Sequence, residues 1–261
     1  MSEIWRGTWV VAYREILRFV SDRSRMLSSF AMPLLFLVIF GAGFTKVMGP
    51  LARGVNFIQF MYPGIIAMTV LTSSLFAGIS VVWDREYGFL KEILVAPLGR
   101  TGIVFGKAAG GTVVALLQAL VMLVLAPIVG VSLTPTMVLK LIPVVIILSL
   151  ALSGLGILIA SFMQSQQGFQ VLIQILIFPL IFLAGVFFPV NDVPVWMEIT
   201  SKVNPLTYGV DAIRQIFLGS GLGLGVTVLG HTMTVLNDVL VIGVLGAVLL
   251  GGAVLAFNRQ D

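Results

Sequence analysis

Residues able to do chemistry are few here and lie in short stretches. DREYGFLKE, residues 84–92, gathers Asp84, Arg85, Glu86, Lys91 and Glu92 in a 261-residue chain that is 59% hydrophobic and 10% charged. His231 is the only histidine and there is no cysteine. Disulfides, thiolate metal sites and a cysteine nucleophile are therefore excluded, and His231 without convergent ligands is read as structural or incidental. GIVFGKA, 102–108, has the outline of a phosphate loop, but its spacing is one residue short and Ala108 stands where a Ser or Thr would hold Mg²⁺. It also opens an apolar helix, so it is read as not binding ATP.

The charged run poses an electrostatic question. Five charges at the centre of a bilayer would cost about 15 kcal/mol, and Phe89, Leu90, Ile93, Leu94 and Val95 would each return only ~0.5 kcal/mol. The segment must therefore meet water. On a helical wheel Trp83, Tyr87, Leu90, Leu94 and Pro97 share one side, and Asp84, Arg85, Lys91 and Glu92 the other. This predicts an amphipathic helix over 83–98 lying along the membrane surface. Glu86 falls on the flank of its apolar side and needs a partner, either Arg100 or a group on another protein.

The elements that would position these residues follow from hydropathy. Mean hydropathy is +1.11, and apolar runs long enough to cross a hydrocarbon core of about 30 Å recur throughout. The expected fold is all-α: a polytopic membrane protein with six spans, at 26–46, 57–82, 103–126, 136–163, 168–188 and 233–257. Residues 1–25 precede this transmembrane domain of 26–257 and show no cleavable signal. Their apolar Trp9, Tyr13, Ile16, Leu17 and Val20 recur at helical spacing, which predicts an interfacial amphipathic helix against the lipid bilayer. Pro33, Pro143 and Pro179 lie inside spans, where they kink rather than end a helix. Residues 189–232 form an outer loop with two short helices, each with a proline near its first turn.

Of the 15 Lys and Arg, ten fall before span one, between spans two and three, between four and five, or after six. Five fall on the other side. The positive-inside bias puts both termini and residues 83–102 in the cytosol. The net charge of +4 is what such loops carry and gives no reason to expect nucleic acid. Lys46, Lys107, Lys140 and Asp238 lie near span ends, where they are expected to snorkel to water. That leaves no carboxylate at mid-membrane for ion coupling. Gln118 and the run QSQQGFQVLIQ are polar without charge and suit bonds between helices. Gly102, Gly106 and Gly110, and likewise Gly243, Ala247 and Gly251, form small faces for close helix packing.

Three segments carry a family resemblance: DREYGFLKEILVAPLGR after span two, FPLIFLAGVFFPVNDVPVW at span five, and NPLTYGVDAIR in the outer loop. In order and over nearly the whole chain they resemble the membrane subunits of ABC-2 type exporters, above all the drug-resistance and nodulation-factor permease branch. The resemblance implies a permease without ATPase chemistry or a cofactor of its own. ATP and Mg²⁺ would be bound by separate ATPase (nucleotide-binding) subunits, and a second, identical permease protomer would complete the assembly in the cell membrane. Residues 83–98 would be the coupling helix, with Glu86, Gly88 and Glu92 matching its acidic motif and Arg85 and Lys91 beside them. Lys91 stands where an acidic or neutral residue is usual.

Asn204, Pro205, Tyr208, Asp211 and Arg214 match the motif of two re-entrant outer helices, where Asp211 and Arg214, i and i+3, can pair. Phe178, Phe182, Phe187 and Phe188 are candidates to line the cargo route, which suits a hydrophobic drug or lipid-linked molecule. Two other classes compete. An ion-coupled secondary transporter should show an inverted repeat between 1–130 and 131–261, and none is visible. A non-transporting membrane scaffold would need no ATPase encoded beside it.

Overall fold

The computed structural model describes residues 2–48, 57–88, 100–130, 133–219, 225–228 and 231–258. The chain opens with α1 (Ser2–Ser21) and α2 (Arg23–Met48), followed by α3 (Phe57–Leu75) and α4 (Ile79–Glu86), which are joined by a single 3-10 turn. Next come α5 (Arg100–Leu125), α6 (Pro135–Phe162) and α7 (Gln166–Leu183). Two short helices, α8 (Val195–Val203) and α9 (Pro205–Leu218), precede a small antiparallel hairpin, Thr227–Val228 with His231–Thr232. Helix α10 (Val235–Asn258) closes the fold. Phe57–Glu86, Thr101–Ile128, Pro135–Phe162, Gln166–Leu183 and Val235–Asn258 are long and apolar enough to cross a membrane, and Leu27–Gly41 in α2 is a shorter apolar stretch.

Helix α3 is the hub. Nearly all of it from Phe60 to Leu71 is buried, wrapped by α2, α5, α6, α7 and α9. Pro63 sits inside it, and nearby the Tyr62 hydroxyl donates to the Met122 carbonyl of α5. Helices α7 and α10 lie outside, with Val171, Ile175 and Phe178 on one and Leu240, Val244 and Val248 on the other exposed. An apolar face of that kind belongs against lipid or another apolar surface rather than water.

Small residues set the helix spacing, though not always the predicted ones. A Cβ on Gly106 would lie 2.8 Å from Val11, and one on Gly110 2.7 Å from Glu15, so this face of α5 carries α1. The Gly243 and Gly251 face of α10 meets nothing within 4 Å among the described residues. Gly246 does the packing instead, against Ala151 of α6.

The expected helix over 83–98 is revised at its start. Residues 83–86 are the last turn of α4, continuous with span two. That turn ends at Gly88, whose φ of 78° is the left-handed conformation that terminates helices and that glycine adopts without steric cost. Residues 89–99, with Lys91 and Glu92, lie outside the described residues. The two outer helices form with Pro194 before α8 and Pro205 in the first turn of α9.

Candidate functional site: a charged junction at the end of span two

Four consecutive residues at the end of α4 between them hold four other helices. Trp83 takes the Arg18 guanidinium of α1 over its ring, 3.7 Å from the centroid, a cation–π contact. Asp84 Oδ2 accepts from Lys107 Nζ of α5 at 2.7 Å and from Arg14 Nη2 of α1 at 3.2 Å. Arg85 donates to the carbonyls of Met163, at 2.6 Å, and Ser161, at 3.2 Å. Glu86 Oε2 accepts from the Gln166 backbone N–H at 3.0 Å.

The last two contacts match charge to helix polarity. Arg85 binds carbonyls at the C-terminus of α6, where the helix dipole is negative, and Glu86 binds an N–H in the first turn of α7, where it is positive. Two adjacent residues of opposite charge thus hold together the two ends of one interhelical turn. Glu86 finds this partner within the chain and keeps an exposed carboxylate.

The Asp84–Lys107 pair corrects two expectations. Lys107 does not snorkel: its side chain is 1% exposed and that of Asp84 8%. Asp84 therefore does not belong to a solvated helix face. Lys107 also donates to Ser80 Oγ at 2.9 Å, so two of its three protons have acceptors. Ions buried this deeply are tolerated only when paired and hydrogen-bonded. Arg14, half-exposed, reaches over the pair and also contacts Glu15 at 3.4 Å. Partial burial works against the Arg14 charge, but the Asp84 and Glu15 carboxylates outweigh it and raise its pKa further, so it stays cationic.

At the outer helices a second polar group acts as scaffolding. Asn204 caps α9 by accepting from Leu206 N–H at 3.0 Å, and its Nδ2 donates to the Leu180 carbonyl of α7 at 2.7 Å. Pro205 is buried at the first helical position and Tyr208 donates to the Lys202 carbonyl at 2.7 Å. Asp211 and Arg214 do not form the expected ion pair. Arg214, 4% exposed, donates to the carbonyls of Phe60 at 3.3 Å and Gly185 at 2.7 Å and lies over the Phe60 ring. Asp211 Oδ2 accepts from Val226 N–H at 2.8 Å and so holds the hairpin. Asp238, expected to snorkel, is fully buried and takes a hydrogen bond from Gln215 at 3.2 Å.

The four phenylalanines divide. Phe178 is exposed, Phe182 and Phe188 are half-buried, and Phe187 is buried. Phe178 stacks on Phe182 at 5.9 Å and Phe182 meets Phe187 at 5.3 Å. Phe187 in turn stacks on Phe40 of α2 at 4.8 Å, so part of this row is packing against α2.

Sequence reasoning missed Arg14, Arg18, Ser80 and Lys107. The available signal was a lysine beside a glycine face, Gly106 and Gly110, that has to receive another helix. A helix seated there with Arg14, Glu15 and Arg18 in its last two turns brings charge onto Lys107.

Comparison with known proteins agrees with this architecture. The family model for the ABC-2 type transporter matches residues 6–218. A putative transport permease, ycf38, of Cyanophora paradoxa is 33% identical over 197 residues, covering 74% of this chain and 67% of the relative. The probable multidrug ABC transporter permease YbhR of Escherichia coli (strain K12) is 34% identical over 169 residues, 61% of this chain and 44% of that protein. Nodulation protein J of Rhizobium leguminosarum bv. trifolii is 27% identical over 218 residues, 83% and 80% of the two chains. A match over most of the chain, set on a bundle of membrane-length helices, makes this a multi-pass transport subunit belonging to the ABC-2 type transporter family.

Proposed function

We propose that this chain is the permease through which a separate ATPase drives a hydrophobic drug-like or lipid-linked molecule out of the cytosol. Both termini and residues 83–102 face the cytosol in this reading, and a second, identical protomer completes the route. ATP and Mg²⁺ stay on the ATPase, so no covalent chemistry occurs in the membrane subunit. The observation that carries the reading is the junction itself. Trp83, Asp84, Arg85 and Glu86 tie the end of span two to α1, α5, the C-terminus of α6 and the N-terminus of α7. A push on the segment that follows Gly88 therefore reaches four helices at once, which is what a rigid-body change between inward- and outward-open states requires. Glu86 and Gly88 stand at the start of that segment, with Glu92 and Lys91 further along it.

The test uses the permease reconstituted with its ATPase. Glu86→Ala removes one exposed hydrogen bond, worth about 1 kcal/mol, so the melting temperature should barely move while cargo-stimulated hydrolysis falls severalfold. Full stimulation by the variant would remove the coupling role from Glu86.

A further inference from the structure

A cavity of about 590 Å³ lies between the end of α1, the first half of α2, the α3–α4 junction, α5 and the start of α7. That volume is in the range that takes a drug-sized molecule. Met32, Phe76 and Ile79 give it apolar walls, and Thr72, Ser73 and Gln118 give it polar ones.

The polar walls are rich in acceptors. Thr72 spends its proton on the Met68 and Thr69 carbonyls, and Ser73 on those of Thr69 and Val70. Both hydroxyls keep lone pairs. Gln118 is 3% exposed and donates Nε2 to Ser29 Oγ at 3.0 Å, while its Oε1 has no hydrogen-bond partner among the described residues. If the amide were flipped, Oε1 would face Ser29 and an unpartnered N–H would take its place, so one amide atom is unsatisfied either way. The soft terminal torsion of Gln118 lets that atom turn toward an occupant, and leaving it unpaired costs stability. Charge on the described walls is balanced, with Arg18 and Asp22 present once each, so none of these residues selects a net-charged molecule.

We propose that this cavity is a binding site for an uncharged amphiphile whose head group donates a hydrogen bond, an alcohol or an amide on an apolar body. The site is built within one protomer and its occupancy needs no ATPase, so it stands or falls apart from the transport reading. The hydroxyl or amide would satisfy Gln118 and share the Thr72 and Ser73 lone pairs, and the apolar body would lie on Met32, Phe76 and Ile79.

Photolabelling of the full-length protein in lipid nanodiscs with azioctanol, a diazirine-bearing alcohol, tests this. Adducts should form on peptides carrying Met32 and Phe76, as well as on lipid-facing Ile175 and Val244. Val114→Trp, which pushes a bulky ring into the cavity, should weaken the first set and spare the second. Gln118→Leu should weaken the first set by up to about tenfold, one hydrogen bond's worth, and leave labelling by a hydrocarbon diazirine of equal length unchanged. This second variant keeps the test alive if the tryptophan prevents folding. Protection by monoolein doped into the bilayer would assign the occupant to the membrane, and protection by octanamide added from water would assign it to soluble cargo. Adducts confined to lipid-facing residues, or unchanged in both variants, would overturn the site and leave a cavity that holds only water.

Discussion

Asp84→Ala should destabilise the protein by about 3–5 kcal/mol, the cost of stranding a buried charge. The substitution leaves Lys107, with 1% of its side chain exposed, hydrogen-bonded only to Ser80 among the described residues and with no directly paired carboxylate. Lys107→Met should cost less, because Asp84 keeps Arg14 at 3.2 Å and that cation reaches solvent. The double variant Asp84→Leu with Lys107→Met replaces both ions by apolar groups and should recover most of the loss, since a buried pair and a well-packed apolar substitute are often close in stability. Tryptophan-fluorescence melting of detergent-purified protein reads all three. A double variant that melts as low as Asp84→Ala would show that the stranded lysine is not the cause.

The second large effect comes from a backbone contact. Gly156 of α6 lies against the Leu75 carbonyl at the 3-10 turn between α3 and α4, and Gly78 in that turn lies against the Gly156 carbonyl. A Cβ at either position meets main chain, which cannot rotate aside. Gly156→Ala should therefore reach or exceed the upper end of the about 1–3 kcal/mol that overpacking costs. Gly243→Ala on α10 enters open space and should leave the melting temperature nearly unchanged. Equal shifts in the two variants would remove the reciprocal contact from the account.

These two sites mark where sequence reading reaches its limit. Spans two to six are legible because hydropathy depends on composition over about 20 residues, and no tertiary contact overrides it. The two outer helices are legible because proline announces a first turn. Lys107 is not, since its position near a span end suggests snorkelling, and only the seating of α1 on Gly106 and Gly110 closes the route to water. Asp211 and Arg214 have the spacing of an ion pair, yet each is taken by a backbone group far along the chain, Val226 N–H for one and the Phe60 and Gly185 carbonyls for the other. Local spacing lists possible partners, but the fold decides which are reached. Glu86 was legible as a carboxylate needing a partner. That the partner is the first turn of α7 depends on a turn 80 residues away.

The central claim, that the end of span two is where an ATPase acts, can be tested through the absence of cysteine from the chain. A single thiol placed by Tyr87→Cys, at a residue 67% exposed just beyond the junction, is unique in the permease. Val203→Cys, 73% exposed on α8, serves as its counterpart on the outer helices. With a short thiol-reactive photocrosslinker attached to the new cysteine and activated in the assembled transporter, the account predicts a permease–ATPase adduct from Tyr87→Cys and none from Val203→Cys. An adduct from Val203→Cys with none from Tyr87→Cys would contradict it.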